Sequence, residues 1–132
     1  MRITVRRDGT TTTRHLLKVR AHEIPVDVLA EEGGADAGPT PHDLYDASLA
    51  SCKALTVLIY ARRKNMPVED IEVGVERDDS GERKGVYRLK STLRVTGDLS
   101  DAQRAELLRV AGKCPVHRLM TEVTTEIETG WA

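Results

Sequence analysis

The chain has 132 residues, 39% of them hydrophobic, and a formal net charge of −1 with acids and bases interspersed. A chain of this size forms one domain, here residues 1–132, that buries about two-thirds of its surface. The charge balance gives no electrostatic basis for binding nucleic acid or a membrane. Phe is absent and aromatic residues make up 3%, which excludes base-stacking platforms as well.

The opening residues, MRITVRRDG, are too charged and too short in apolar run for a secretory signal, so a cytoplasmic protein is expected. Residues 2–7 alternate apolar and charged, and Asp8-Gly9 is a hairpin signal. Residues 11–20 read as a second strand and 22–29 as a short third one, with Pro25 suggesting a sheet edge. The loop EEGGADAGP then carries the chain to its longest apolar stretch.

That stretch, residues 40–65, is marked as a helix at both ends. Thr40 and Asp43 are spaced as a capping box, with Pro41 at the first helical position. Asn65 and Pro67 mark the end, and Arg62, Arg63 and Lys64 sit in the last turn, where positive charge suits the helix dipole. Between Asp46 and Arg62 the only charge is Lys53, a pattern that predicts a helix buried most of the way round. The run is too short and too broken by Lys53 for a membrane span. Around Cys52 the side chains are small (Ala47, Ser48, Ala50, Ser51, Ala54), which lets another backbone approach closely. A chain of this length has few other apolar helices to offer. The expected partner is the same helix of a second copy, packed about a two-fold axis as a homodimer.

Beyond the helix, residues 71–77 and 86–95 alternate and should pair across the charged turn DDSGERKG. Ser100 and Gln103 form a second capping box for a helix over 101–111, which Gly112 suits as a C-cap. A short helix over 115–120 and a final strand over 123–128 complete an α+β chain of order βββ-α-ββ-α-β.

The two cysteines, Cys52 and Cys114, lie 62 positions apart. In a cytoplasmic chain they read as inert core thiols, metal ligands or a redox pair rather than a structural disulfide. Cys114 precedes Pro115 and falls at a helix N-cap, where backbone N–H groups favour a thiolate; Lys113, His117 and Arg118 stand close by. Cys52 has the opposite setting. Mid-helix burial raises a thiol pKa, so a functional Cys52 needs a cation brought by tertiary structure. Lys53 adjoins it in sequence but points about 100° away around a helix. For zinc, Cys114 and His117 supply only two ligands.

The string GPTPHDLYDASLASCKALTV, followed by KCPVHR, resembles the osmotically inducible protein C and organic hydroperoxide resistance (OsmC/Ohr) superfamily. GG-x-D-x-GP before the helix, YARRK after it and GDLSDAQRAELLRVA extend the likeness through most of the chain, more weakly in its N-terminal third. The resemblance implies an OsmC-like fold and a thiol-dependent peroxidase, built as an intertwined homodimer. On that reading Cys52 is the peroxidatic residue and Cys114 condenses with its sulfenic acid to a disulfide, which an external dithiol reduces. The substrate is an organic hydroperoxide, and no metal or organic cofactor takes part. Family members also hold the thiolate ionised with an Arg that a Glu orients. Here His42-Asp43 stands where that Glu is found, so Asp43 is the candidate acid; Arg7 is the candidate cation, with Arg20 competing. A non-catalytic dimer holding a small ligand, with the cysteines as redox sensors, is the alternative. A sulfur carrier using a persulfide on one cysteine is a third.

Overall fold

The computed structural model describes residues 1–132, which divide into two compact units, Met1–Tyr45 and Asp46–Ala132. In the first unit the alternating N-terminal residues form an antiparallel sheet of β1 (Ile3–Arg7), β2 (His15–Val19) and β3 (His22–Val26). The register pairs Val5 with Leu17 and Leu17 with Ile24, so Ile3, Val5, Leu17, Val19 and Ile24 share one face with Arg7. Pro25 lies on an edge strand, where its missing donor costs no ladder bond. β2 begins at His15, four residues later than residue 11, where the sequence pattern starts a strand. Residues 8–14 are taken instead by a turn: the Asp8 carboxylate accepts from the Thr10 amide (3.1 Å) and hydroxyl (2.7 Å), and the Asp8 amide donates to the Arg14 carbonyl (2.8 Å).

The loop after β3 is organised by Asp27, which is 2% exposed. Its carboxylate accepts from the Thr13 hydroxyl (2.6 Å) and from the amides of Val28, Ala35 and Ala37. These donors, the Thr13 hydroxyl foremost, hold its pKa down at about 2.

α1 (Pro41–Arg63) begins as the capping box predicts: the Thr40 amide donates to Asp43 Oδ2 (2.9 Å) and the Asp43 amide to Thr40 Oγ1 (3.1 Å). It ends with Asn65 at φ 53° while the Met66 amide donates to the Ala61 carbonyl (2.8 Å). In the second unit β4 (Val68–Asp78) and β5 (Arg88–Gly97) pair as an antiparallel hairpin, with Ile71 opposite Val95 and Val73 opposite Leu93. Ile71, Leu93 and Val95 pack against the core that Val57 and Ala61 of α1 form with Leu107 and Ala111 of α2 (Asp101–Ala111). The Ser100–Gln103 capping box starts α2, and Gly112 closes it in a right-handed conformation at φ −68°. At Gly97 the hairpin requires a glycine: its φ is +141°, and a Cβ there would lie 2.0 Å from the Pro67 carbonyl oxygen. α3 (Pro115–Thr121) follows Cys114.

Two expectations need correction. Residues 123–128 form no strand, and Ile127 and Trp131 stand in solvent. A strand needs a neighbour for its N–H and C=O groups, and no strand of this chain pairs with the segment. Nor is α1 buried most of the way round. Its inward positions are Asp46, Leu49, Lys53, Val57 and Ala61, while Leu55 and Ile59 on the opposite side are 57% and 47% exposed.

Candidate functional site

Cys52 lies in the middle of α1, half-buried, with its sulfur 3.9 Å from Thr56 Oγ1 on the next turn. Cys114 is the N-cap of α3, with extended backbone angles (φ −64°, ψ 143°) that Pro115 at the first helical position continues into the helix. Its side chain is completely buried. Separated by 62 positions in sequence, the two thiols lie close enough for Cys52 to act on the ionisation of Cys114. Burial pushes the Cys114 thiol above its ordinary pKa, and the nearby Cys52 adds to this, while the His117 amide and the Lys53 charge act in the opposite direction. The N-cap position therefore does not leave Cys114 as a free thiolate.

Lys53 is the residue that sequence reasoning set aside. It is 3% exposed, and its Nζ donates to the Ala111 carbonyl at the end of α2 (2.8 Å) and to Nδ1 of His117 on α3 (3.0 Å). One step along α1 from Cys52 does carry its side chain around the helix. The C-terminal end of α2 and the start of α3 close over that side, however, and bring Cys114 and His117 to it. The signal was present as spacing. Asp46, Leu49, Lys53, Val57 and Ala61 are three or four positions apart and form one stripe, which is the buried one.

A second polar group lies toward the start of that stripe. Asp46 takes the Arg77 Nε of β4 on Oδ2 (2.5 Å) and the Tyr87 hydroxyl on Oδ1 (2.7 Å). Burial, and then its bond to Asp46, push the Tyr87 phenol up to about 12. These three residues are 31 and 41 positions apart and carried no motif.

Of the other candidates, Arg7 ends β1 and donates from a guanidinium nitrogen to the Thr11 carbonyl of its own turn (3.0 Å). Asp43 is in the first turn of α1, its carboxylate on the Thr40 amide. Arg20, in a left-handed conformation after β2, lies 3.8 Å from the Met1 sulfur. No three His, Cys, Asp or Glu side chains gather into a set that could hold a metal ion, and no helix is long and apolar enough to cross a membrane.

An α+β fold of two units, with a half-buried and a buried cysteine near a buried lysine, is the class of protein these features define. The OsmC-like protein family model matches residues 33–129, and the chain belongs to that family. Among solved structures, an osmotic stress induced and detoxification response protein of Psychrobacter arcticus 273-4 is similar at TM-score 0.73 and 21% identity, covering 88% of this chain and 85% of that one. The OsmC-like protein of Mycoplasma pneumoniae matches at TM-score 0.73 and 17% identity over 92% and 87% of the two chains. The organic hydroperoxide resistance protein OhrB of Bacillus subtilis matches at TM-score 0.59 and 23% identity over 92% and 90%. At these identities the likeness is one of fold. Curated proteins give no match.

Proposed function

We propose that the protein is a homodimeric cysteine peroxidase that reduces organic hydroperoxides through a Cys52/Cys114 dithiol cycle. The observation that carries this reading is the proximity of two cysteines that sequence holds 62 positions apart, close enough for one to act on the ionisation of the other. Membership of the OsmC-like family and the fold shared with an organic hydroperoxide resistance protein support it. The half-buried Cys52 attacks and the fully buried Cys114 resolves. In the first step the Cys52 thiolate takes the distal oxygen of ROOH. The O–O bond breaks, ROH leaves with one added proton, and Cys52 becomes a sulfenic acid. Cys114 sulfur then displaces hydroxide, which leaves as water, and the S–S bond forms. An external dithiol returns both cysteines to thiols and is itself oxidised to a disulfide. In this reading Arg7 supplies positive charge to the thiolate and Asp43 orients it.

The homodimer rests on the apolar outer side of α1, where Leu55 and Ile59 stand exposed among small residues. The segment 123–128, rich in β-branched residues and left without a ladder in a single chain, is a second surface for the other copy.

Counting thiols before and after one equivalent of an alkyl hydroperoxide tests the reading. Both thiols should disappear together as an internal disulfide visible by mass spectrometry. Cys52→Ser should consume no peroxide, and Cys114→Ser should react once and stop as a sulfenic acid that a dimedone-type reagent traps. A wild-type protein whose thiols survive the peroxide would favour the ligand-binding alternative.

A further inference from the structure

The peroxide cycle described above leaves one buried charge unused. Lys53 is 3% exposed to solvent, and the two groups that meet its ammonium are a main-chain carbonyl and an imidazole nitrogen, neither of them an anion. An ammonium taken out of water is costly unless an anion accompanies it. The groups that face it are few. From α2 comes the Ala111 carbonyl, an end-of-helix acceptor at the negative pole of the dipole. From α3 come His117 and, at its N-cap, Cys114, within range of the lysine charge, and from its own helix Cys52, whose thiol lies near that of Cys114. No carboxylate is among the hydrogen-bond or ion-pair partners of Lys53. The only group in this set that can become an anion is the dithiol.

We infer that Lys53, held by the Ala111 carbonyl and His117, is the counter-ion of the Cys52–Cys114 pair and a positioning residue for its anionic form. Accepting the Lys53 proton on Nδ1 fixes His117 as the neutral tautomer with its proton on Nε2. The imidazole thus holds the ammonium without competing for the negative charge. One proton leaves the pair and one remains on it, so the first ionisation belongs to the pair rather than to either cysteine. When the pair closes to a disulfide the anion is lost and Lys53 is left uncompensated. The lysine therefore favours the reduced state, in the way any stabilised thiolate makes its disulfide more oxidising.

This inference rests on Cys52 and Cys114 reacting as a pair, but not on peroxide being their substrate. Its test uses no peroxide. The thiolate absorbance of the fully reduced protein is followed against pH for the wild type, Lys53→Met and Lys53→Arg. The first ionisation should move up by about one pH unit, a tenfold change in proton affinity, in Lys53→Met, and Lys53→Arg should recover most of it. In a glutathione redox buffer the Lys53→Met equilibrium should shift toward disulfide by up to about tenfold, or about 30 mV for this two-electron couple. A lysine that only caps α2 would change melting temperature and leave both readings where they were, and that result overturns the inference. Should Lys53→Met fail to fold, the wild-type titration decides. A first ionisation below the ordinary thiol value of about 8.5 upholds the inference, and one at or above it overturns it.

Discussion

The two sides of α1 are inverted relative to an ordinary surface helix. The inner side, packed in the second unit, carries two charges, Asp46 and Lys53, at 8% and 3% exposure. The outer side presents Leu55 and Ile59, about half exposed. Amphipathic helices normally place charge outward and aliphatic side chains inward. The inversion separates two functions. Inside, each charge has designated partners: Arg77 and Tyr87 for Asp46, and Ala111 and His117 for Lys53. Outside, the aliphatic groups have none in a single chain, and the surface they form is suited to a second copy.

Breaking the outer side should give the largest effect. Leu55→Glu combined with Ile59→Glu would bury carboxylates in the proposed interface with nothing to pair them. The dimer should weaken by at least about a hundredfold, roughly 2.7 kcal/mol. Light scattering should then report a 14.6 kDa species where the wild type gives twice that mass. A wild type that is already a folded monomer at micromolar concentration would remove the interface and leave the exposed leucine and isoleucine unexplained.

The same inversion explains which features were legible in the sequence. Strand alternation and the capping boxes at Thr40–Asp43 and Ser100–Gln103 encode local structure, and helices and strands formed where they point. Cys52 and Cys114 were visible as motif residues. The place of Lys53 on the buried stripe was legible as spacing, but its partners were not, because the C-terminal end of α2 and the start of α3 are brought to it by tertiary structure that no local pattern reports. The Asp46–Arg77–Tyr87 group was hidden for the same reason. Segment 123–128 failed in the opposite direction: its β-branched residues favour a strand, but a strand exists only where another offers a free edge.

On the inner side, Asp46→Ala would remove the carboxylate that accepts from both the Arg77 guanidinium and the Tyr87 hydroxyl. Loss of one partner from such a buried pair should cost on the order of 3 kcal/mol, measured by urea unfolding. The pH dependence of the same group has a defined sign. Tyr87 titrates at about 12 in the folded protein and near 10 unfolded, so its contribution is complete below pH 10. It is lost as pH rises through 12, because the unfolded chain gives up the proton first. Tyr87→Phe should therefore be less stable at neutral pH but lose less between about pH 10 and 12 than the wild type does. Parallel stability curves across that window would show that Asp46 does not hold the phenol proton.

The smallest expected effect sharpens the contrast between Lys53 and the cation implied by family resemblance. Arg7 shares the apolar face of the first sheet with Val5 and Leu17, an unusual place for a guanidinium, and Asp43 opens α1 nine positions before Cys52. Along the helix axis that separation is about 13–14 Å at ~1.5 Å per residue, so Asp43 acts on the thiol only through a longer cation. Asp43→Asn is a discriminating change, because the amide keeps an oxygen for the Thr40 N–H and preserves the cap while deleting the charge. If Asp43 orients Arg7 toward the thiolate, Asp43→Asn and Arg7→Ala should each slow the peroxide reaction about tenfold at pH 7, corresponding to a one-unit rise in thiol pKa. The rate should recover as pH rises through that pKa, since more thiolate then forms without help. Lys53→Met should display the same recovery with an intact Arg7. If both first-unit variants react at the wild-type rate at pH 7 while Lys53→Met is slow, the positive charge that ionises the pair comes from the inner side of α1 alone.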